Sequence, residues 1–280
     1  MQFGSWTTVS VGVADMQNAC QLWVNAMGLE IVAERAGPDA DLADLWQLAA
    51  DDITAQLLLA TPGQHTGQLH LVEFAEPALP IRHNAEVFDW VAKNLDIYVN
   101  DMPARIAELQ AAGFEFRNED FSEVTAPNGV RFREIHLPAH DGVNVVLLEI
   151  LGESQPLTDA GFGAVGPLIT IVPDAARERA FFASLLGLHQ LSSNVLDGPE
   201  IETMIGLPQG AALDVSIWGN PDNPMGEVEI IEYQGTQGSD LYARAIGKAT
   251  GIRQIRYHQP DAGQVAAHLT QHAVAFEPAQ

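Results

Sequence analysis

Three glutamates recur where a carboxylate could do chemistry. Glu73, Glu149 and Glu232 each stand near the end of an apolar, strand-like run: Leu71-Val72-Glu73-Phe74, Leu147-Leu148-Glu149-Ile150 and Ile230-Ile231-Glu232-Tyr233. A carboxylate in such a run faces either solvent, on the polar side of a half-buried strand, or a wet cleft, where it is a candidate general base. Both readings stand on the sequence. His258 lies four residues after Gln254 in an alternating stretch. The two share a strand face at period two, and an imidazole, which titrates near neutrality, is a candidate general base there. His268 and His272 are four apart on an amphipathic stretch, with no third donor close in sequence to complete a metal site. His65 and His70, and His136 and His140, flank turns and read as surface or capping residues. There is no phosphate-cradling G-x-x-x-x-G-K-S/T, no G-x-G-x-x-G after a strand and no G-x-S-x-G.

The elements that must carry these residues repeat. Val9–Glu34, Leu95–Glu119, Leu168–Ser193 and Ile255–Ala279 share one order: a β-rich strand, an Asp, an amphipathic stretch of about three helical turns, then another strand. Asp15, Asp101, Asp174 and Asp261 each precede the helical stretch, where a carboxylate accepts the unpaired N–H groups of the first turn. Gly28, Gly113 and Gly187 follow 12 or 13 residues later, where a left-handed residue ends a helix; the fourth copy has no such glycine. Asp15 and Asp174 are 159 residues apart, and Asp101 and Asp261 are 160 apart, so copies one and three correspond, as do two and four. Pro62/Pro221, Gly67/Gly226 and Glu73/Glu232 keep the same offsets.

Further strands are expected at 53–60 and 68–75 in copy one and at 211–218 and 227–234 in copy three, after short helices at 40–48 and 200–207. Asp141-Gly142 between alternating runs marks a hairpin in copy two. Each unit therefore reads β-α-β-β-β, the fourth cut short after its second strand. The class is α+β, in which tandem βαβββ modules form two curled mixed-sheet half-barrels. The Pro- and Gly-containing stretch near 152–163 divides the chain into residues 1–152 (modules one and two) and 153–280 (module three and an incomplete module four).

Composition bounds the function. Of 280 residues, 47% are hydrophobic and 18% charged, enough for extensive cores. One cysteine, Cys20, excludes an internal disulfide. A net charge of −24 disfavours nucleic acid and anionic membrane surfaces. No apolar stretch of membrane-spanning length is present, and Met1–Ser5 lacks the basic start of a secretory signal, so a cytoplasmic location is expected.

The four strand-Asp-helix-Gly-strand copies with their Glu-bearing closing strands resemble the vicinal oxygen chelate superfamily, which includes glyoxalase I, extradiol dioxygenases and bleomycin resistance proteins. The resemblance covers nearly the whole chain. It implies that paired units curl eight strands around a cleft, in which metal-using members hold a divalent ion (Fe, Mn, Zn, Ni or Mg) on His, Glu or Gln from the first and last strands of each unit. The last-strand positions correspond to Glu73, Glu149 and Glu232. The first-strand positions, seven residues before each Asp, are Thr8, Asn94, Pro167 and Gln254, of which only Gln254 is a ligand of the usual type. The implied function is a small-molecule enzyme of the glyoxalase/dioxygenase type, a lyase, isomerase or oxygenase, acting on a substrate with adjacent oxygens. Glu73 and Glu149 then face inward as metal ligands or bases, with His258 as a further base. The alternative is a metal-free protein that binds or sequesters a small molecule, as bleomycin resistance proteins do. The strand edge left by the short fourth unit is expected to pair with a second copy in a homodimer.

Overall fold

The computed structural model describes residues 1–276, the side chains at 164 and 224 excepted. Unit one comprises β1 (Thr8–Val13), α1 (Met16–Cys20, continued by a π-helical turn over Gln21–Ala26), β2 (Glu30–Ala36), α2 (Ala40–Leu45), β3 (Ile53–Ala60) and β4 (Gln68–Phe74). Unit two comprises β5 (Ala92–Val99), α3 (Met102–Ala111), β6 (Ser122–Thr125), β7 (Arg131–Pro138) and β8 (Asn144–Ile150). Unit three comprises β9 (Phe162–Ile171), α4 (Ala175–Ser184), β10 (His189–Leu196), α5 (Pro199–Ile205), β11 (Ala212–Asn220) and β12 (Asn223–Gln234). Unit four supplies β13 (Gly251–Arg256) and α6 (Ala262–Gln271). The second strand expected in that unit runs past residue 276, outside the described residues.

Local chemistry explains most boundaries. Asp15, Asp174 and Asp261 each accept a hydrogen bond from the backbone N–H three residues on, opening α1, α4 and α6. Asp101 departs from this pattern. It is itself left-handed (φ 50°) and gives its helix no side-chain cap. Gly28, Gly113 and Gly187 take the expected positive φ past their helices, and in unit four Ala273 takes it at φ 55°. An L side chain holds that conformation at a cost of about 1–2 kcal/mol. Asp141 and Gly142 are both left-handed, which turns β7 into β8. The stretch 239–249 contains a 3-10 turn at Tyr242–Arg244.

The strands form two mixed sheets, in the orders β13-β1-β4-β3-β2 and β10-β11-β12-β9-β5-β8-β7-β6. This corrects the expected pairing. Unit two joins unit three through antiparallel β5 and β9 (Leu95↔Leu168, Ile97↔Val165), and unit one joins unit four through β1 and β13. Residues 1–152 and 153–280 therefore do not each form a sheet. The chain between β8 and β9 is short and returns β9 along the free side of β5, whereas the longer segment between β4 and β5 carries the chain from one sheet to the other.

Both sheets turn their helix-bearing faces into a shared core. Val9 and Val11 of β1, Leu95 and Ile97 of β5, Val145 and Leu147 of β8, and Val228 and Ile230 of β12 pack there with Trp23, Met102 and Phe182. The repeated glycines seal the junction between units one and three. Trp6 N–H donates to the Gly226 carbonyl, and Val165 N–H donates to the Gly67 carbonyl. Trp6 and Val165 are 159 residues apart, as are Gly67 and Gly226, so the two contacts are one contact repeated about a pseudo-twofold axis. A Cβ at Gly67 would run into the Val165 carbonyl oxygen, and one at Gly226 into that of Trp6. Among the described residues no helix is long and apolar enough to cross a membrane.

Candidate functional site

The faces of the two sheets opposite the shared core are occupied differently. On the five-stranded sheet that face is covered by side chains of its own units. Trp46, just after α2, packs with Leu42, Ile53, Val72 and Phe74, and the Arg253 guanidinium stacks 4.5 Å from the Trp46 ring centroid. The Trp46 indole N–H donates to Gln254 Oε1 at 3.0 Å. Beside this cluster runs a buried polar chain: Ser10 Oγ to His70 Nδ1 at 3.1 Å, His70 Nε2 to Gln56 Oε1 at 3.0 Å, and Gln56 Nε2 to Asp39 Oδ2 at 2.9 Å. Burial, with the Arg256 charge nearby, lowers the His70 pKa to about 4, so this imidazole stays neutral.

The eight-stranded sheet instead encloses a cavity of about 330 Å³. Strand alternation decides what lines it. On β5, Leu95 and Ile97 face the core, so Asn94, Asp96 and Tyr98 face the cavity. On β12, Val228 and Ile230 face the core, so Glu227, Glu229, Ile231 and Tyr233 face the cavity. β7 adds Glu134 and His136. Most of the remaining wall is apolar, with Leu148, Ile169, Leu191, Val215 and Ile217 in it and Met204 and Ile205 contributed by α5, and Asn128, Glu153, Ser192 and Asn194 add polar side chains. Gly166 makes room for the Tyr98 ring, whose Cδ2 would stand 3.0 Å from a Cβ at that position.

Burial dominates the electrostatics. It raises the pKa of Glu227 to about 8, against a Tyr98 hydrogen bond that lowers it. It raises Glu229 to about 8 as well, helped by the Glu134 and Glu227 charges. Asp96 is pushed well above the usual carboxylate range by burial and then by Glu229 and Glu134. Lys93, 2% exposed, donates from Nζ to the Tyr233 hydroxyl at 3.1 Å, and burial with Arg82 and Arg117 nearby lowers its pKa to about 7. His136, hydrogen-bonded to Glu134 at 2.9 Å and to Asn144 at 3.1 Å, is lowered chiefly by burial.

The glutamates singled out by their recurrence lie on the other face. Glu73 Oε1 accepts from Met16 N–H at 2.9 Å, Glu149 Oε1 from Asp101 N–H at 2.9 Å, and Glu232 Oε2 from Ala175 N–H at 2.9 Å. Each caps the first turn of its own unit's helix, where the helix dipole favours an anion. Glu149 also pairs with Arg133 at 3.1 Å and supplies the cap that Asp101 does not. Parity is the reason: each of these glutamates shares a strand face with core residues, as Glu149 does with Val145 and Leu147. Gln254 lies in the other sheet. His258 is exposed and sits beyond Arg256, the last residue of β13, so period-two alternation does not reach it. The expected metal set of Glu73, Glu149, Glu232 and Gln254 thus does not converge. Among the described residues no group of three or more His, Cys, Asp or Glu is placed to hold a metal ion. The donor sets present do not fit a divalent ion.

Asp96, Glu227 and Glu229 do not recur between units, where Arg256, Gln68 and His70 hold the matching positions, so the repeat does not mark them. Strand alternation does: Asp96 is two residues after Asn94 on the same strand face, and Gly226-Glu227-Val228-Glu229-Ile230 alternates acid with aliphatic.

Neither a family model nor a curated protein matches the chain. Solved structures do. Glyoxalase I from Zea mays superposes with a TM-score of 0.61 at 12% identity, covering 95% of this chain and 78% of that one. A variant of the same enzyme gives 0.64 at 13% identity over 95% and 78% of the two chains. A proposed dioxygenase from Bacillus subtilis gives 0.61 at 12% identity over 97% and 75%. At this identity the likeness establishes architecture: the chain has the fold of the vicinal oxygen chelate superfamily, with its second and third units forming the cavity-bearing sheet.

Proposed function

We propose that the cavity of the eight-stranded sheet is the reaction site of a small-molecule enzyme of the glyoxalase/dioxygenase type, and that its chemistry is proton transfer by carboxylates. The observation that carries this reading is the set of acids on the cavity lining, buried Asp96 and Glu227 with half-buried Glu229, among mostly apolar side chains. Carboxyls brought to about 8 can give or take a proton near neutral pH, where a base and its conjugate acid are both populated. Neighbouring acids that share burial do not all ionise together, so one serves as base while another holds a proton for return. The Tyr98 hydroxyl beside Glu227 favours the ionised form of that carboxyl against its burial. The apolar side chains exclude water and hold the substrate body. The reaction class is abstraction of a proton next to an electron-withdrawing group, leading to isomerisation or elimination.

The test is exchange of carbon-bound hydrogen for deuterium, followed by NMR, across a panel of small carbonyl compounds in heavy water. Glu229→Gln and Asp96→Asn should each abolish the exchange that the unaltered protein catalyses, while Glu73→Gln should retain it. Exchange that survives in both cavity variants refutes the assignment. A metal-free binding protein is the second reading, favoured by the same lack of a convergent donor set among the described residues. It predicts tight binding with no exchange or turnover.

A further inference from the structure

Asp96 is 6% exposed, and its Oδ1 has no hydrogen-bond partner. A buried acceptor left unpaired is costly, and such groups in folded proteins are rare enough to require a partner. None of the ion pairs among the described residues involves Asp96, Glu227 or Glu229. The nearby bases are directed elsewhere: Lys93 donates to the Tyr233 hydroxyl and Arg117 to the Ile205 carbonyl oxygen. Five carboxyl side chains line the cavity and no Lys or Arg does. At about 330 Å³ the cavity lies at the small end of ligand sites, and apolar side chains make up the larger part of its lining.

These features select among ligands. An anion would face five carboxyls with no Lys or Arg on the lining to balance it in a low-dielectric space. A bare divalent ion would need three or more converging donors, which the described residues do not offer. A cation on an apolar body meets both halves of the lining. We propose, resting on the reading of this cavity as the reaction site, that its substrate is a small organic cation, an amine or quaternary ammonium compound with a compact hydrophobic body. The positive group lies against Asp96 and Glu229, donating to the Asp96 carboxyl where it carries N–H. The body lies along Leu148, Ile169 and Val215. The incoming charge takes the place of the proton that burial otherwise holds on these acids.

Isothermal titration of the full-length protein near neutral pH with phenylbutylamine, phenylbutanol and phenylbutyrate tests this without any substitution. The amine should bind at least about tenfold tighter than the alcohol, a difference of about 1.4 kcal/mol, and the carboxylate should not bind. Asp96→Asn should bring the amine and alcohol affinities together, while Glu232→Gln should leave their ratio as in the parent. Equal binding of the three probes, or tighter binding of the alcohol or the carboxylate, overturns the cation preference but leaves the cavity as a binding site. Stoichiometric displacement of the amine by zinc ion assigns the acids to a metal and also overturns it. Failure of all three probes to bind overturns the cation preference and the reading of the cavity together.

Discussion

Replacing Glu227 by Gln should stabilise the protein, increasingly so as pH rises above about 4.5. The carboxyl is raised from an ordinary value of 4.5 to about 8, chiefly by burial. Below 4.5 it is protonated in the folded and the unfolded chain alike and adds no pH dependence. Between 4.5 and about 8 the folded chain keeps a proton that the unfolded chain releases, so stability falls as pH rises. The slope is about 1.4 kcal/mol per pH unit, which over this interval accumulates to about 5 kcal/mol before levelling off. Water reaching the carboxylate through the cavity mouth lowers that figure. For a chain of this size each kcal/mol moves the melting temperature by about 2 °C, so the expected separation is about 5–10 °C. The assay is thermal unfolding followed by circular dichroism from acid to alkaline pH, on parent and Glu227→Gln in parallel. The curves should coincide near the acid end, diverge through neutrality and run parallel beyond the folded-state pKa. Curves that stay together throughout would refute the burial argument, and with it the proton-transfer role of these acids.

Two further outcomes follow from the packing. Glu232→Ala leaves the Ala175 N–H without its acceptor and should lower stability by about 1–2 kcal/mol, with no change in ligand binding at the cavity. Lost binding with unaltered stability would instead place Glu232 in the site. Gly226→Ala combines a positive φ of 76° with a Cβ driven into the Trp6 carbonyl oxygen. Strain and displacement together should cost about 2–5 kcal/mol in chemical denaturation, and a variant within about 1 kcal/mol of the parent would contradict the described junction.

Capping, turn chemistry and periodicity are local, and they were legible in the residues. Asp15, Asp174 and Asp261 cap their helices as expected, Gly28, Gly113 and Gly187 end them, and Asp141-Gly142 turns the hairpin. The fourfold repeat and the α+β architecture follow from these signals alone. The site was legible only in part. The resemblance implies a first-strand ligand position at Asn94, though not a ligand of the usual type, and the cavity lining includes Asn94 together with Asp96 two residues on. Glu73, Glu149 and Glu232 recur for a different reason: each helix start presents unpaired N–H groups to the strand beside it, and one carboxylate per unit answers them.

The amino-acid sequence by itself determined the unit, since helix starts, helix stops, turns and strand alternation depend on neighbours within about a dozen residues. Only the tertiary structure decided which units share a sheet, because strand edges of similar apolar character pair according to linker reach and shape. That choice joined β5 to β9 and brought Asp96 from one unit to Glu227 and Glu229 of another. It also left a cavity on the eight-stranded sheet, whereas Trp46 and Arg253 cover the corresponding face of the five-stranded one.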